Sequence, residues 1–434
     1  MKAKSVLQCL GAACLVLFSQ WAVAGPKIEH WFAPSGARVY FVENRVLPML
    51  DIQVDFAAGG ARDPESKTGL ASLTNALLDM GTEGMDENRI ASRLADVGAR
   101  ISAGVDKERA SISLRTLSMP DARETALDIF RAVLATPGFP AEVLEREKAR
   151  RAAALRESLT RPDVIAGRTL WNAMYPQHSY GRSVTPESIE AIQRDDLEAF
   201  YRDHYRASGA VVAIVGDIGR AGAESLAQRL TSGLPVGLAP STAETLRSPA
   251  AGEQRLPHPA AQAHVLIGMP ALRRGDPDFF ALQVGNYTLG GGGFVSRLVR
   301  EVREKRGFAY SVYSQFVPMA QPGPFLIGLQ TRKEQAGEAL SVVREVLAAF
   351  LAEGPSEAEL QAARQNLAGS FPLRLDSNRK ILDNVAAIAF YGLPLDYLDR
   401  YVENIERVTA ADVRAAFARH VQLDDLVTVV VGGE

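Results

Sequence analysis

Cysteine is nearly absent from this chain of 434 residues. Its two cysteines, Cys9 and Cys14, both lie within the first 24 residues. If that segment is removed, the rest of the chain has no thiol, which excludes a disulfide, a cysteine nucleophile and a thiolate metal ligand. A thiol-free chain suits an oxidising compartment, where an unpaired cysteine is a liability.

Histidine is scarce as well, and its spacing does not suit a metal site. No two of the six histidines have the i, i+4 spacing that places two ligands on one face of a helix. We therefore expect surface or loop positions, rather than ligand positions, for all six: His30, His178, His204, His258, His264 and His420.

Excess positive charge and long apolar runs are also missing. The formal net charge of −3 supplies no basic field for nucleic acid, so we expect no nucleic-acid partner. Beyond residue 24, no uninterrupted apolar stretch reaches the about 18 residues that a spanning helix needs. We expect no stable membrane span.

The first 24 residues have the pattern of an export signal. Lys2 and Lys4 precede an apolar run over Val6–Phe18, and Ala22-Val23-Ala24 offers a small-residue cleavage site. This predicts cleavage after Ala24 and a periplasmic protein, with an uncleaved anchor as the alternative. A lipoprotein at Cys14 is disfavoured because Gly11, three places before it, is not a bulky aliphatic residue.

The remaining chain has two similar halves. Residues 196–216 and 412–432 share a helix end followed by an apolar strand and glycine, at an offset of 216 residues. An offset this long indicates a duplicated domain. We predict an N-terminal domain over 25–231, a linker rich in glycine, proline, serine and alanine over 232–262, and a C-terminal domain over 263–434. Hairpins alongside helices, without strict alternation, favour an α+β fold with largely antiparallel sheets.

Local patterns predict the elements of each half. In the first half, strands are expected over 38–42 and 50–56, and a hairpin over 100–105 and 110–116. Residues 141–159 and 186–204 each have the pattern of a helix, as do 278–289 and 296–305 in the second half. A second hairpin is expected over 310–318 and 324–330.

The stretch Gly69–Gly81 predicts a helix whose leucines face the core. Its other side carries Ser72, Asn75 and Ala76, at i, i+3 and i+4. Peptidases with an H-x-x-E-H helix carry two zinc ligands and a general base at this spacing. Here none of the three positions has an imidazole or a carboxylate.

Several strings together resemble the pitrilysin/insulinase-type zinc peptidases, the M16 family, in its two-domain branch. They are GARDPESKTGLA at 60–71, MGT at 80–82, PQHSYGR at 176–182 and VREKRGFAYSV at 302–312. This resemblance implies two tandem domains, each a largely antiparallel sheet covered by helices.

The same resemblance exposes what is missing. It places the family's two histidine ligands on Ser72 and Ala76 and its general base on Asn75. Its third ligand falls on Ala154, if Glu147 is the acidic residue seven positions earlier in that helix; a slip of one turn would bring Glu157 near instead. One carboxylate alone would not hold a catalytic zinc, which takes about three protein ligands. We therefore expect no metal in this chain and zinc in a partner subunit.

Other features of the family are retained. The resemblance implies that Arg303 and Tyr310 reach across to an active site and donate hydrogen bonds to the substrate carbonyl and the oxyanion. On sequence alone, Arg303 also fits a solvated charge run and Tyr310 a core aromatic. The glycine run Gly290, Gly291, Gly292 and Gly293 lacks the context of a phosphate loop. The resemblance implies a substrate-handling loop here, and a lid or tight turn between helices is an equally good interpretation of the glycines.

Two functions follow from these patterns. In the first, the chain is the zinc-free subunit of a heteromeric periplasmic zinc metalloendopeptidase. Its partner is then a zinc-bearing homologue with an intact H-x-x-E-H motif, and its substrate is an extended peptide paired to a sheet edge. In the second, the chain is a non-catalytic scaffold or peptide-binding protein with a peptidase fold. The Arg303/Tyr310 pair favours the first.

Overall fold

The structure is a computed structural model that describes residues 25–237 and 244–432. The predicted signal sequence and its cleavage site therefore lie outside the described residues. Two main sheets and the helices that cover them account for most of the described residues. No helix in the described part of the chain is both long and apolar enough to cross a membrane.

The first half forms a six-stranded sheet with the order β1-β2-β8-β3-β7-β6. All pairings between these described strands are antiparallel except β2 with β8. A two-stranded ribbon, β4-β5, lies outside it. The strands are β1 (Glu29–Phe32), β2 (Arg38–Glu43), β3 (Met49–Phe56), β4 (Gly81–Thr82), β5 (Met85–Asp86), β6 (Arg100–Val105), β7 (Ala110–Leu117) and β8 (Val211–Gly216).

The second half forms a five-stranded sheet with the order β11-β12-β10-β13-β9. Within residues 244–432, its only parallel pair is β9 with β13. Read from the other end, this order matches β2-β8-β3-β7-β6 strand for strand, so the duplication inferred from the repeat is visible in the topology. The strands are β9 (Gly252–Leu256), β10 (Gln262–Leu272), β11 (Ala309–Phe316), β12 (Gly323–Arg332) and β13 (Val427–Val431).

The helices cover the sheets and largely follow the predicted pattern. Those of the first half are α1 (Leu70–Leu77), α2 (Glu87–Asp96), α3 (Pro120–Ala135), α4 (Ala141–Ser158), α5 (Pro162–Met174), α6 (Pro186–Glu190), α7 (Arg194–His204) and α8 (Arg220–Thr231). Those of the second half are α9 (Phe279–Asn286), α10 (Ala336–Glu353), α11 (Glu357–Ser370), α12 (Asn378–Tyr391), α13 (Tyr401–Arg407) and α14 (Ala410–His420).

Three local predictions differ from the structure. The single helix expected over 186–204 is two helices, α6 and α7, because Gln193 and Asp196 form a new reciprocal N-terminal cap between them. The segment expected as a linker contains β9, which extends the second sheet. The helix expected over 296–305 is regular only in part, with wide π-type turns over Val299–Glu304.

The two halves exchange a covering helix. Helix α5 of the first half packs on β10 and β13 of the second sheet, and α12 of the second half packs on β2, β3 and β8 of the first. Val427, Val429 and Val431 accordingly share a core with α5 residues. This mutual exchange makes the core of each half depend on the other.

Glu108, in the turn between β6 and β7, adds a polar tie at the same junction. Its carboxylate accepts hydrogen bonds from Tyr180 in the first half and from Tyr391 of α12, the latter at 2.8 Å. The backbone N–H of Ala320, between β11 and β12, donates to it at 3.0 Å. One side chain thus joins three segments from both halves.

Candidate functional site

Helix α1 starts at a buried carboxylate. Asp63 is 4% exposed and accepts hydrogen bonds from the backbone N–H groups of Gly69 and Ala71, both at 2.7 Å. Gly69 has φ +104°, a conformation that favours glycine, so the sharp entry into the helix depends on it. Burial raises the pKa of the Asp63 carboxyl to about 6. These contacts fix the start of the helix that carries the degenerate positions.

The three predicted zinc-motif positions lie together on α1. Asn75 is buried, and its side-chain amide donates to the carbonyl of Ser111 in β7 at 3.3 Å. Ser72 and Ala76 are half-buried beside it. Helix α4, which carries the predicted third position Ala154, packs against α1. The fold therefore brings the two helices of the degenerate site together, with no titratable group at these four positions.

An arginine that the sequence analysis missed lies between these helices. Nη1 of Arg151, on α4, donates to Oγ of Ser72 at 2.8 Å. Arg151 lies four residues after Glu147 and three before Ala154, so all three share one face of α4. This spacing is visible in the sequence and could have pointed to Arg151 as a residue of the degenerate site.

These residues do not fit a zinc ion. Zinc in proteins takes thiolate, imidazole or carboxylate ligands. The degenerate positions offer a hydroxyl, an amide and two methyl groups, and the hydroxyl already accepts from a guanidinium. Burial lowers the pKa of Arg151, but a guanidinium stays protonated in proteins. The degenerate site therefore contains a positively charged guanidinium, that of Arg151, and none of the usual zinc ligands at its four positions.

The retained residues lie elsewhere, in the second half. Arg303 and Tyr310 line one groove of 550 Å³ together with Gly290, Gly291 and Gly293. The predicted Arg/Tyr pair and three of the four glycines of the predicted substrate loop thus form a single site. Every residue lining this groove comes from 286–315, so the groove and the degenerate positions of α1 belong to different halves of the chain.

Arg303 contacts two aromatic rings. Its guanidinium carbon lies 4.7 Å from the ring centre of Phe294 and 4.8 Å from that of Tyr310. Two neighbouring cations instead pair with Glu301, Lys305 at 2.8 Å and Arg306 at 3.0 Å. Among the described residues, the Arg303 guanidinium has no hydrogen-bond or ion-pair partner, so it differs from the solvated charge run around it. Its N–H donors remain free for an acceptor.

Tyr310 is 81% exposed, which rules out the alternative that it packs in a core. The pairing of β11 with β12 shifts register between Ala309 and Ser311, so Tyr310 sits on a β-bulge. Bulges turn a side chain out of the regular alternation. Because β11 is an edge strand, its outer backbone groups are also unpaired within the sheet.

The glycine run is built into the wall of the groove. It starts in a π-type turn over Tyr287–Gly291. A Cβ on Gly290 would lie 2.5 Å from the backbone nitrogen of Ser314 in β11, so only glycine allows this close approach. Gly293 has φ +61°. A tight turn packed on the edge strand accounts for the run and leaves its outer surface facing the groove.

Comparisons with known proteins agree with this architecture. The family model described as "Insulinase (Peptidase family M16)" matches residues 38–187. The one described as "Peptidase M16 inactive domain" matches residues 191–367. The chain belongs to the M16 family. The predicted resemblance and the α+β tandem-domain fold are thereby confirmed.

Individual M16 relatives cover nearly the whole chain. A crystal structure of a peptidase M16 inactive domain from Pseudomonas fluorescens is 39% identical, with a TM-score of 0.91, over 94% of this chain and 98% of that one. "Non-peptidase homolog YmxG" of Helicobacter pylori is 27% identical over 91% of this chain and 92% of its own. The mitochondrial-processing peptidase subunit beta of Blastocladiella emersonii is 22% identical over 94% and 89%.

Proposed function

We propose that this chain is the zinc-free subunit of a heteromeric M16 metalloendopeptidase. The observation that carries the proposal is a contrast within one molecule. Arg303 is stacked and free to bind an acceptor in an open groove, while the α1 positions of a zinc motif hold no ligand. A substrate-binding apparatus without its own metal calls for a zinc-bearing partner chain with an intact H-x-x-E-H motif.

The chemistry absent from α1 cannot be replaced locally. Amide hydrolysis by a zinc peptidase needs a Lewis acid that lowers the pKa of water, and a base that takes its proton. The amide of Asn75 and the hydroxyl of Ser72 do neither near neutral pH. In this proposal the chain alone does not hydrolyse peptides.

The groove supplies the other part of the reaction. The guanidinium of Arg303 and the phenol of Tyr310 would donate hydrogen bonds to a peptide carbonyl and to the oxyanion that develops on it during hydrolysis. Zinc held by the partner would supply the Lewis acid. The free edge of β11 beside them lets an extended peptide pair its backbone with the sheet. The substrate class is therefore an unfolded or extended peptide, handled against the glycine run at 290–293.

The relatives support both elements of this proposal. One is named a non-peptidase homologue, and another is named as a subunit of a processing peptidase. The N-terminal export pattern favours a periplasmic complex. The second candidate function, a scaffold or peptide-binding protein, is favoured by the same exposed groove, since peptide binding there needs no metal.

Zinc content and peptide cleavage distinguish these functions. Three preparations are compared: this chain, a zinc-bearing homologue from the same cell, and their mixture. We expect less than stoichiometric zinc and no cleavage in this chain, a complex in size-exclusion chromatography, and cleavage of an unstructured peptide that rises in the mixture. Stoichiometric zinc in the isolated chain would contradict the proposal. If the two chains form no complex, the scaffold or peptide-binding function is the one that remains.

A further inference from the structure

Arg151 is the most enclosed arginine of its helix face and lies where two helices meet. Its side chain is 26% exposed, whereas that of its neighbour Arg150 is 65% exposed. Its Nη1 reaches across from α4 to Ser72 on α1, the first position of the degenerate motif. Its own helix face leads from Glu147 to Ala154, the predicted position of the third ligand.

Glu147 places a buried anion on the same helix face as Arg151. Its side chain is only 6% exposed, and a buried carboxylate is costly unless it is paired. Arg150 contacts it, Arg146 lies at 3.7 Å, and Nε of Arg151 lies at 3.9 Å. Arg151 is therefore shared between a buried anion on its own helix and a hydroxyl on the facing helix.

We infer that the Arg151 guanidinium occupies the place of the catalytic zinc, so that a cation of the chain itself fills the emptied metal site. A divalent ion between the same two helices would meet a fixed positive charge at short range. Like charges this close repel strongly where the effective dielectric constant is well below that of water, so the guanidinium disfavours a zinc ion there. Arg151 therefore opposes zinc binding in addition to the effect of the missing ligands.

The inference predicts that restoring the ligands is insufficient. A four-substitution variant carries the full ligand set and base: Ser72→His, Asn75→Glu, Ala76→His and Ala154→Glu. Two further variants add Arg151→Met or, as the matched control, Arg150→Met. Methionine keeps an unbranched apolar stem in place of the arginine stem. The zinc affinity of all three is measured by competition with a chromophoric chelator.

We expect zinc to bind at least about tenfold more tightly after Arg151→Met than in the four-substitution variant, and no comparable gain after Arg150→Met. Equal affinity in the variants with and without Arg151 overturns the inference. So does an equal gain from Arg150→Met, or the absence of zinc binding in all three variants, because removal of the guanidinium would then not open the site.

A second measurement avoids the redesigned site. Ser72→Ala, Arg151→Met and the double variant form a cycle in the otherwise unchanged chain, followed by urea unfolding. If the guanidinium bridges the two helices, the effects on the unfolding equilibrium constant are non-additive by at least about threefold. Additive effects overturn the bridge. Neither measurement depends on a partner chain, so this inference stands or fails separately from the proposed function.

Discussion

The guanidinium carbon of Arg303 lies 4.8 Å from the ring centre of Tyr310 and 4.7 Å from that of Phe294. Phe294 is 65% exposed, so these ring contacts stand in solvent and give the folded chain little burial. Their effect is to restrict where the guanidinium lies in the groove that all three residues line. The arrangement therefore predicts effects on substrate handling rather than on stability.

Phe294→Ala removes one of the two ring contacts of Arg303. A cation–π contact at an exposed site contributes about 0.5–1 kcal/mol, so kcat/KM of the mixture with the zinc-bearing partner should fall about two- to fivefold. The melting temperature should not change. Val295→Ala is the matched control, because Val295 is similarly exposed but has no aromatic ring to offer a guanidinium. Equal losses in both variants would show that the Phe294 ring contact has no specific role.

Gly290→Ala should destabilise the fold. Its Cβ would meet the Ser314 backbone nitrogen at 2.5 Å and the Leu298 side chain at 2.8 Å, and overpacking of this kind costs about 1–3 kcal/mol. Gly337, on α10, has open space where an added methyl group would lie, and should gain up to about 1 kcal/mol when replaced by alanine. Urea unfolding of both variants checks the pair. A neutral Gly290→Ala would mean that the glycine wall is not tightly packed.

Asp55 should make stability fall as pH rises through the acidic range. Burial raises the pKa of this carboxyl to about 6, against partial compensation from Arg109. Below pH about 4 the carboxyl is protonated in both states. Between pH about 4 and 6 the unfolded chain ionises first, so folding loses up to about 2–3 kcal/mol from this group.

Asp55→Asn removes that dependence. Relative to wild type, its free energy of unfolding should increase between pH about 4 and 7, as measured by urea titration at each pH. The exposed Asp399→Asn serves as the control and should follow the wild-type curve. Parallel curves for Asp55→Asn and wild type would contradict the burial argument.

The helix exchange predicts that the halves fold together. Residues 25–237 lack α12, which covers the Val211, Ala213 and Val215 face of their sheet, and residues 244–432 lack α5. Each half alone should expose this apolar surface and unfold without a cooperative transition, whereas the co-expressed halves should form one complex with a sharp transition. A half that unfolds cooperatively by itself would show that the exchanged helix is dispensable.

Local patterns predicted most elements but not this exchange. The period of α5 or α12 shows that one face is apolar, yet nothing in that period says which sheet the face will cover. Strand β9 was missed for a related reason, since its exposed residues, Gly252–Leu256, show little apolar alternation. Partner choice between distant segments is set by the assembled surfaces, which a local window does not contain.

The candidate site, like the fold, could be predicted only in part from the sequence. The family strings predicted the degenerate positions and the Arg303/Tyr310 pair, and the structure shows that the pair and the glycine run form one groove. The sequence did not indicate that Tyr310 sits on a bulge or that Phe294 contacts Arg303. Arg151 looked like one of several charged residues of α4. Its contact with Ser72 joins residues 79 positions apart, so no local pattern could indicate it.

Cleavage of an unstructured peptide by the mixture tests whether Arg303 and Tyr310 of this chain act at zinc held by a partner. Arg303→Ala removes a charged donor worth about 1.5–3 kcal/mol, so kcat/KM should fall about ten- to a hundredfold, and Tyr310→Phe should also lower it. Complex formation and melting temperature should match wild type. Activity of the mixture that is unchanged by both substitutions would contradict this role of Arg303 and Tyr310.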